Sequence, residues 1–203
     1  LFLARASTVL LHVGNELYSS VSRYLLSRPF CDIKDTPLWD IVVTDGTNND
    51  ARLIALRGIR DGLVAHKDHL SLCRKHGYQR LMSMFSPLSH ADTRTGHAIL
   101  DIFDVAIRQR ANSRYLLERC SLVAWLVQVT SLVGHTQGSS LCRGVASPRL
   151  LPRLLLLLRR AAAANCLLVR TDRAADVLPA LQHCALLLAT QSAHNGPGGR
   201  AGS

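Results

Sequence analysis

This chain of 203 residues lacks the usual signatures of catalysis. It has no G-x-S-x-G elbow, no H-E-x-x-H pair, no glycine-rich phosphate loop and no dinucleotide fingerprint. The common routes to nucleophilic, zinc, phosphoryl and hydride chemistry are therefore not written in it. Its six cysteines, Cys31, Cys73, Cys120, Cys142, Cys166 and Cys184, are scattered with no C-x-x-C among them. Their even number allows a disulfide framework by parity, but a helix-rich chain of this size is read with reduced thiols, which points to cytosol or nucleus. Aromatic residues make up 5% of the chain, so platforms on which single-stranded RNA could stack its bases are few. No uncharged apolar run is long enough for a membrane span, because Arg159 and Arg160 cut the most apolar stretch in two. The opening Leu1-Phe2-Leu3 has the flavour of a signal peptide, yet Asn15, Glu16 and Arg23 interrupt the next stretch at helical spacing. The first residue is Leu1, and the chain is read as part of a longer protein.

What the sequence does have is apolar periodicity. Hydrophobic residues account for 48%, enough to argue against wholesale disorder and for one sizeable core or a short repeat array. Leu10, Val13, Leu17, Val21, Tyr24 and Leu25 fall at steps of three and four, which predicts a helix from about Ser7 to Leu26 with one buried face. Pro29 stops it, and Asp35-Thr36-Pro37 opens a short helix carrying Leu38, Ile41 and Val42. The elbow between them is expected to bury Phe30, Ile33, Leu38 and Trp39. Asn48 or Asn49 caps the next helix, to about Ala65, with a stripe of Leu53, Leu56, Ile59 and Leu63 and an exposed Arg57–Asp61 pair. Gly58 and Gly62 cost about 1 kcal/mol each in helix propensity, and their spacing suits a closely approaching neighbour. Helices follow over Asp68–His76, ended by Gly77 in the left-handed position after the last turn, and over Tyr78–Phe85.

The plan then recurs. A helix from about Asp92 carries Ile99, Ile102, Phe103, Ala106 and Ile107; Asn112-Ser113 opens a short one with Leu116 and Leu117; Leu122–Val133 supplies the third, with Trp125, Leu126 and Val129. An offset of 43 sets Leu56 on Ile99, Ile59 on Ile102, Asp61 on Asp104 and Val64 on Ile107; an offset of 45 sets Leu72 on Leu117, Gly77 on Leu122 and Leu81 on Leu126. Three helices in that period fit an armadillo/HEAT-like array. The fold expected is all-α, a helical-repeat α-solenoid over 1–134, with a linker-like break at 135–148, poorly patterned helices at 149–191 and a disordered tail at 192–203.

Charge is unevenly placed. Of the net +10, residues 1–141 contribute +4, and residues 142–203, with eight arginines against Asp172 and Asp176, contribute +6. Arg149 and Arg153 are i,i+4 neighbours with Arg160 seven further on, which makes them either an RNA-contacting face or a solvated one. The scarcity of aromatics favours recruitment through protein over direct RNA contact. Two other constellations are set aside. Val43-Thr44-Asp45-Gly46-Thr47 has part of a phosphatase D-x-D-G-T loop but puts valine where the nucleophile belongs. His66, His69, Cys73 and His76 form a line along three helical turns, too long for all four to reach one zinc ion. No metal, no cofactor and no enzymatic activity are expected.

Ser27 to Asp40 resembles the S-R-P-x-L-D-x-x-D-x-P-x-F-Y signature of the C-terminal domain of the nucleolar pre-ribosomal-associated, or unhealthy-ribosome-biogenesis, proteins. Arg28, Pro29, Asp32, Asp35 and Pro37 carry the match. The likeness continues through Leu56-Arg57-Gly58-Ile59-Arg60-Asp61-Gly62-Leu63, Cys73-Arg74-Lys75-His76 and Ser86-Pro87-Leu88, and fades after about Leu126. Cys31 replaces the family's leucine and Trp39-Asp40 its paired aromatics. The resemblance implies a nucleolar α-solenoid platform in early maturation of the large ribosomal subunit and ribosomal RNA processing. It also implies association with pre-60S particles, a DEAD-box RNA helicase and other assembly factors. A helical-repeat adaptor outside the nucleolus, and an enzyme whose site assembles from scattered residues, are the alternatives that residues alone leave open.

Overall fold

The computed structural model describes residues 14–27, 38–43, 49–85, 93–136 and 150–168, with isolated positions at 182, 185, 186 and 189. These residues are all-α: nine helices and no strand among those described. They are α1 (Tyr18–Ser27), α2 (Leu38–Val43), α3 (Asn49–Gly62), α4 (His66–Arg74), α5 (Gly77–Met84), α6 (Thr93–Ile107), α7 (Arg110–Glu118), α8 (Leu122–Thr136) and α9 (Leu151–Leu168). The expected elbow with Arg28, Pro29, Asp32, Asp35 and Pro37, Arg149, the expected tail and most of the expected helix before it fall outside the described residues.

The long helices α3 and α6 pack on each other, and α9 packs on α6, α7 and α8. Their apolar stripes meet in one core, in which Leu56, Ile59, Ile99, Ile102, Phe103, Leu154 and Leu158 are fully covered. Leu38 and Trp39 of α2 are buried as expected, at 2% and 3% exposure. Gly58 has a packing reason: a Cβ there would stand 2.8 Å from Leu38 Cδ1, so its absence lets α2 lie against α3. Burying each such large side chain contributes about 1.5–3 kcal/mol.

The aromatic residues are few but concentrated. Tyr78 stacks at a tilt on Phe103 (5.8 Å between centroids), Phe103 on Trp125 (5.5 Å), and Phe85 meets Trp125 edge-on (5.3 Å). This chain of rings joins α5, α6 and α8 through the core, with offset and edge-to-face contacts that add to area burial.

Several local expectations are corrected. α4 ends at Arg74 with Lys75 as its cap, and the left-handed residue is His76 (φ 51°, ψ 33°), not Gly77, which opens α5. Glycine is needed at 77 for space: a Cβ would meet Leu72 Cδ1 at 2.4 Å and the Leu72 carbonyl oxygen at 2.9 Å. α7 begins at Arg110 after Gln109, so Asn112 and Ser113 lie inside it and buried, their side chains satisfied by Gln109, His66 and backbone carbonyls. Asp61 pairs with Arg60 (2.7 Å), not with Arg57. Leu17 and Tyr24 are exposed at 55% and 42%, and among the described side chains of α1 Tyr18 and Val21 pack against the core. Val64 is 54% exposed and lies beyond the end of α3, so it is no counterpart of buried Ile107.

Gly77 and Leu122 each begin a helix, Leu81 and Leu126 are each fully buried, and Leu56 and Ile99 face the same core. Among the described residues, the two non-glycine positions with positive φ are His76 (51°) and Ser121 (52°). They are 45 positions apart and stand immediately before α5 and α8.

Candidate functional site

Three groups of polar side chains stand out on this framework. The first is internal. His69 is fully buried and its Nδ1 lies 2.5 Å from the Tyr78 hydroxyl, which is also buried. Burial lowers the His69 pKa to about 4 despite the neighbouring Asp68, and pushes the Tyr78 phenol far up. Cys73 and Cys120 are free thiols, both raised by burial, with Cys120 at about 11. Each group is held in its neutral form at pH 7. Such thiols are poor nucleophiles, because the thiolate is the reactive species. The His66–His69–Cys73–His76 line is thereby resolved. His66 Nδ1 bonds Asn112 Oδ1 at 2.9 Å, His69 serves Tyr78, and His76 is exposed in the α4–α5 turn. Among the described residues no cluster of three His, Cys, Asp or Glu could hold a metal ion. No helix among them is long and apolar enough to cross a membrane.

The second group is an ionic seam. Asp101 and Asp104 lie three residues apart on α6, on one side of the helix. Asp101 accepts from Arg153 of α9 and lies 3.6 Å from Arg60 of α3. Asp104 accepts from Arg160 of α9 and from Arg108 at 2.6 Å. Burial alone would raise the Asp104 pKa, but the hydrogen bonds from Arg160 and Arg108 hold it below the ordinary carboxylate value. Arg60 is raised, chiefly by its bond to Asp61. Thus Arg153 and Arg160, singled out from sequence as part of a basic face, both spend a guanidinium on fastening α9 to α6. Their carboxylate partners sit 52 and 56 residues away, beyond any local pattern. Gly96 helps at the same seam, where a Cβ would come within 3.3 Å of Leu150. The contacts Gly96–Leu150, Asp101–Arg153 and Asp104–Arg160 advance together along both segments, so α6 and α9 run parallel.

The third group is the outer layer formed by α4, α5 and α7. Gln109 Nε2 donates to the Val64 carbonyl (2.8 Å), and with His66–Asn112 this clasp ties the start of α4 to the start of α7. Asp68, 5% exposed, turns inward and accepts from the Ala65 amide at 2.8 Å, as the acidic half of a capping box; Ala65 has no side-chain oxygen to supply the other half. The exposed side chains in this layer include Lys67, Arg74, Lys75, Arg80, Arg110, Arg114 and Arg119. Only Arg114 among these forms an ion pair with a described residue, to Glu118 at 3.0 Å. Sequence reading missed this face, because its cations are spread over three helices and only folding collects them.

Comparison with known proteins adds one match. The family described as nucleolar pre-ribosomal-associated protein 1 matches residues 1–125. No curated protein and no solved structure matches the chain significantly. The matched stretch runs from the N-terminus through α7 and into α8, and so includes Gly62 at the end of α3 and the whole of the cationic layer.

Proposed function

The chain belongs to the nucleolar pre-ribosomal-associated protein 1 family, and from that premise we propose that it is a non-enzymatic scaffold in early assembly of the large ribosomal subunit. The family's name indicates association with nucleolar pre-ribosomal particles. The finer reading places this chain on pre-60S particles during ribosomal RNA processing, beside a DEAD-box RNA helicase and other assembly factors. The family match over residues 1–125 is the observation that carries it.

Geometry supports a scaffold of armadillo/HEAT-like kind. α3 packs on α6 and α6 on α9, while α4 packs on α7. The left-handed residues before α5 and α8 recur 45 positions apart. Equivalent helices stacked in parallel are how solenoids bury a continuous core while leaving long surfaces free. On this reading α3, α6 and α9 are the first helices of successive repeats, and Asp101 and Asp104 tie one repeat to the next.

The test is affinity purification of the tagged chain from nuclear extract. Large-subunit precursor RNA and assembly factors should co-purify. Recovery with cytoplasmic peptide-bearing partners and without precursor RNA would replace this reading with a general helical adaptor.

A further inference from the structure

We propose that the α4–α5–α7 layer is a binding face for the phosphate backbone of duplex RNA. Charge partition is the first argument. The carboxylates Asp61, Asp101 and Asp104 are taken up by arginines along α3, α6 and α9; Glu118 is paired with Arg114; Asp68 is buried in its cap. That leaves Lys67, Arg74, Lys75, Arg80, Arg110 and Arg119 exposed with no ion pair to a described residue. Within residues 66–80 the exposed surface carries four Lys or Arg and no exposed carboxylate.

Placement is the second argument. Lys67 and Arg74 are seven residues apart, hence on one stripe of α4. The clasp at Val64–Gln109 and His66–Asn112 holds the first turn of α4 beside the first turn of α7, so Arg110, next to Gln109, starts one helix spacing, about 8–10 Å, from the α4 turn that carries Lys67. Part of this charge suits the negative C-terminus of α4, where Arg74 and Lys75 stand. Lys67, at the positive end of the same helix, and Arg80 and Arg110, in the first turns of α5 and α7, run against their helix dipoles and gain nothing from them.

The kind of partner follows from what the face omits. Tyr78 is buried and Tyr115 half-buried against the core, and the exposed rings are the small imidazoles of His66 and His76, so no large aromatic platform is offered for base stacking. Leu70, 44% exposed, is the one large apolar residue exposed on α4, too little for a groove that would seat an amphipathic peptide. A face of cations without large aromatic platforms or an apolar groove binds phosphates and reads no sequence. This inference draws on the proposed function only for the choice of RNA over other polyanions.

The experiment is a fluorescence-anisotropy titration of the 203-residue chain with a labelled duplex RNA of arbitrary sequence, between about 50 and 200 mM salt. Wild type should bind with a steep salt dependence, indifferent to sequence. Changing Lys67, Arg74, Lys75 and Arg80 together to Gln should flatten the slope of log K by up to about 3.6, at about 0.9 per lost phosphate contact, without lowering the melting temperature. Arg153→Gln with Arg160→Gln should do the reverse, lowering the melting temperature and leaving the slope unchanged. An unchanged slope in the quadruple variant, or no binding by wild type at the lower salt, would overturn the proposal. So would equal competition by polyglutamate of matched charge, which would assign the face to an acidic protein. Particle association that survives the quadruple change would retain the scaffold and remove only its RNA face. Loss of particle association by wild type would remove the scaffold reading and leave the titration standing.

Discussion

Asp104→Asn should loosen the seam between α6 and α9 without changing any volume in the core. The carboxylate accepts from Arg160 across the helix interface and from Arg108 one turn along its own helix. An exposed ion pair contributes about 0.2–1 kcal/mol and a hydrogen bond to a charged group about 1.5–3 kcal/mol. Asp104 is 21% exposed while its partners Arg160 and Arg108 are 40% and 64% exposed. The freed guanidinium groups can therefore rehydrate, which sets the loss between those limits, about 1–2 kcal/mol. For a chain of this size that lowers the melting temperature by about 2–8 °C. The folded carboxyl titrates below its ordinary value, so its contribution is complete above the unfolded pKa, about 3.9, and vanishes as pH falls through the folded one. Melts of wild type and variant followed by circular dichroism should differ at pH 7 and converge in strong acid and in about 1 M salt. Equal melts at pH 7, or a gap that widens toward acid, would refute the seam.

Other perturbations probe separate parts of the fold. Gly77→Ala should destabilise by about 1–3 kcal/mol, because the new methyl meets the Leu72 carbonyl as well as its side chain; an unchanged denaturant midpoint would contradict it. Tyr78→Phe should cost about 1–3 kcal/mol, leaving a second ring nitrogen of His69 without a partner where Nε2 already has none. His69 is held neutral, with its pKa lowered to about 4, so stability should fall as pH drops from its unfolded value, about 6.5, toward 4. His69→Gln should flatten that part of the pH profile. Trp39→Ala should cost about 3–5 kcal/mol, since the indole is 3% exposed between α2 and the core; a wild-type melt would show that the α2 contact is dispensable.

Periodicity gave the long helices because their apolar stripes are local facts. Leu53, Leu56 and Ile59, like Ile99, Ile102 and Phe103, are buried where helical spacing put them. Helix ends were harder. His76 and Ser121 adopt left-handed conformations that glycine would have advertised, while Gly77 is kept for its proximity to Leu72. α9 was illegible for another reason: its leucines lie almost all round the helix, so only contact with α6, α7 and α8 decides which are buried. The same contact gives Arg153 and Arg160, which stay partly exposed, carboxylate partners on α6. Arginines read along one helix cannot reveal carboxylates waiting on another. The exposed cations of α4, α5 and α7 escaped notice because each helix holds only a few of them.

The central claim is that this helical stack rides on assembling ribosomal particles, and sedimentation of nuclear extract containing the tagged chain tests it most directly. The account predicts that the chain travels in fractions holding large-subunit precursors and leaves them when new ribosomal RNA synthesis is blocked. A chain that stays at the top of the gradient, or co-sediments only with mature cytoplasmic ribosomes, would contradict it.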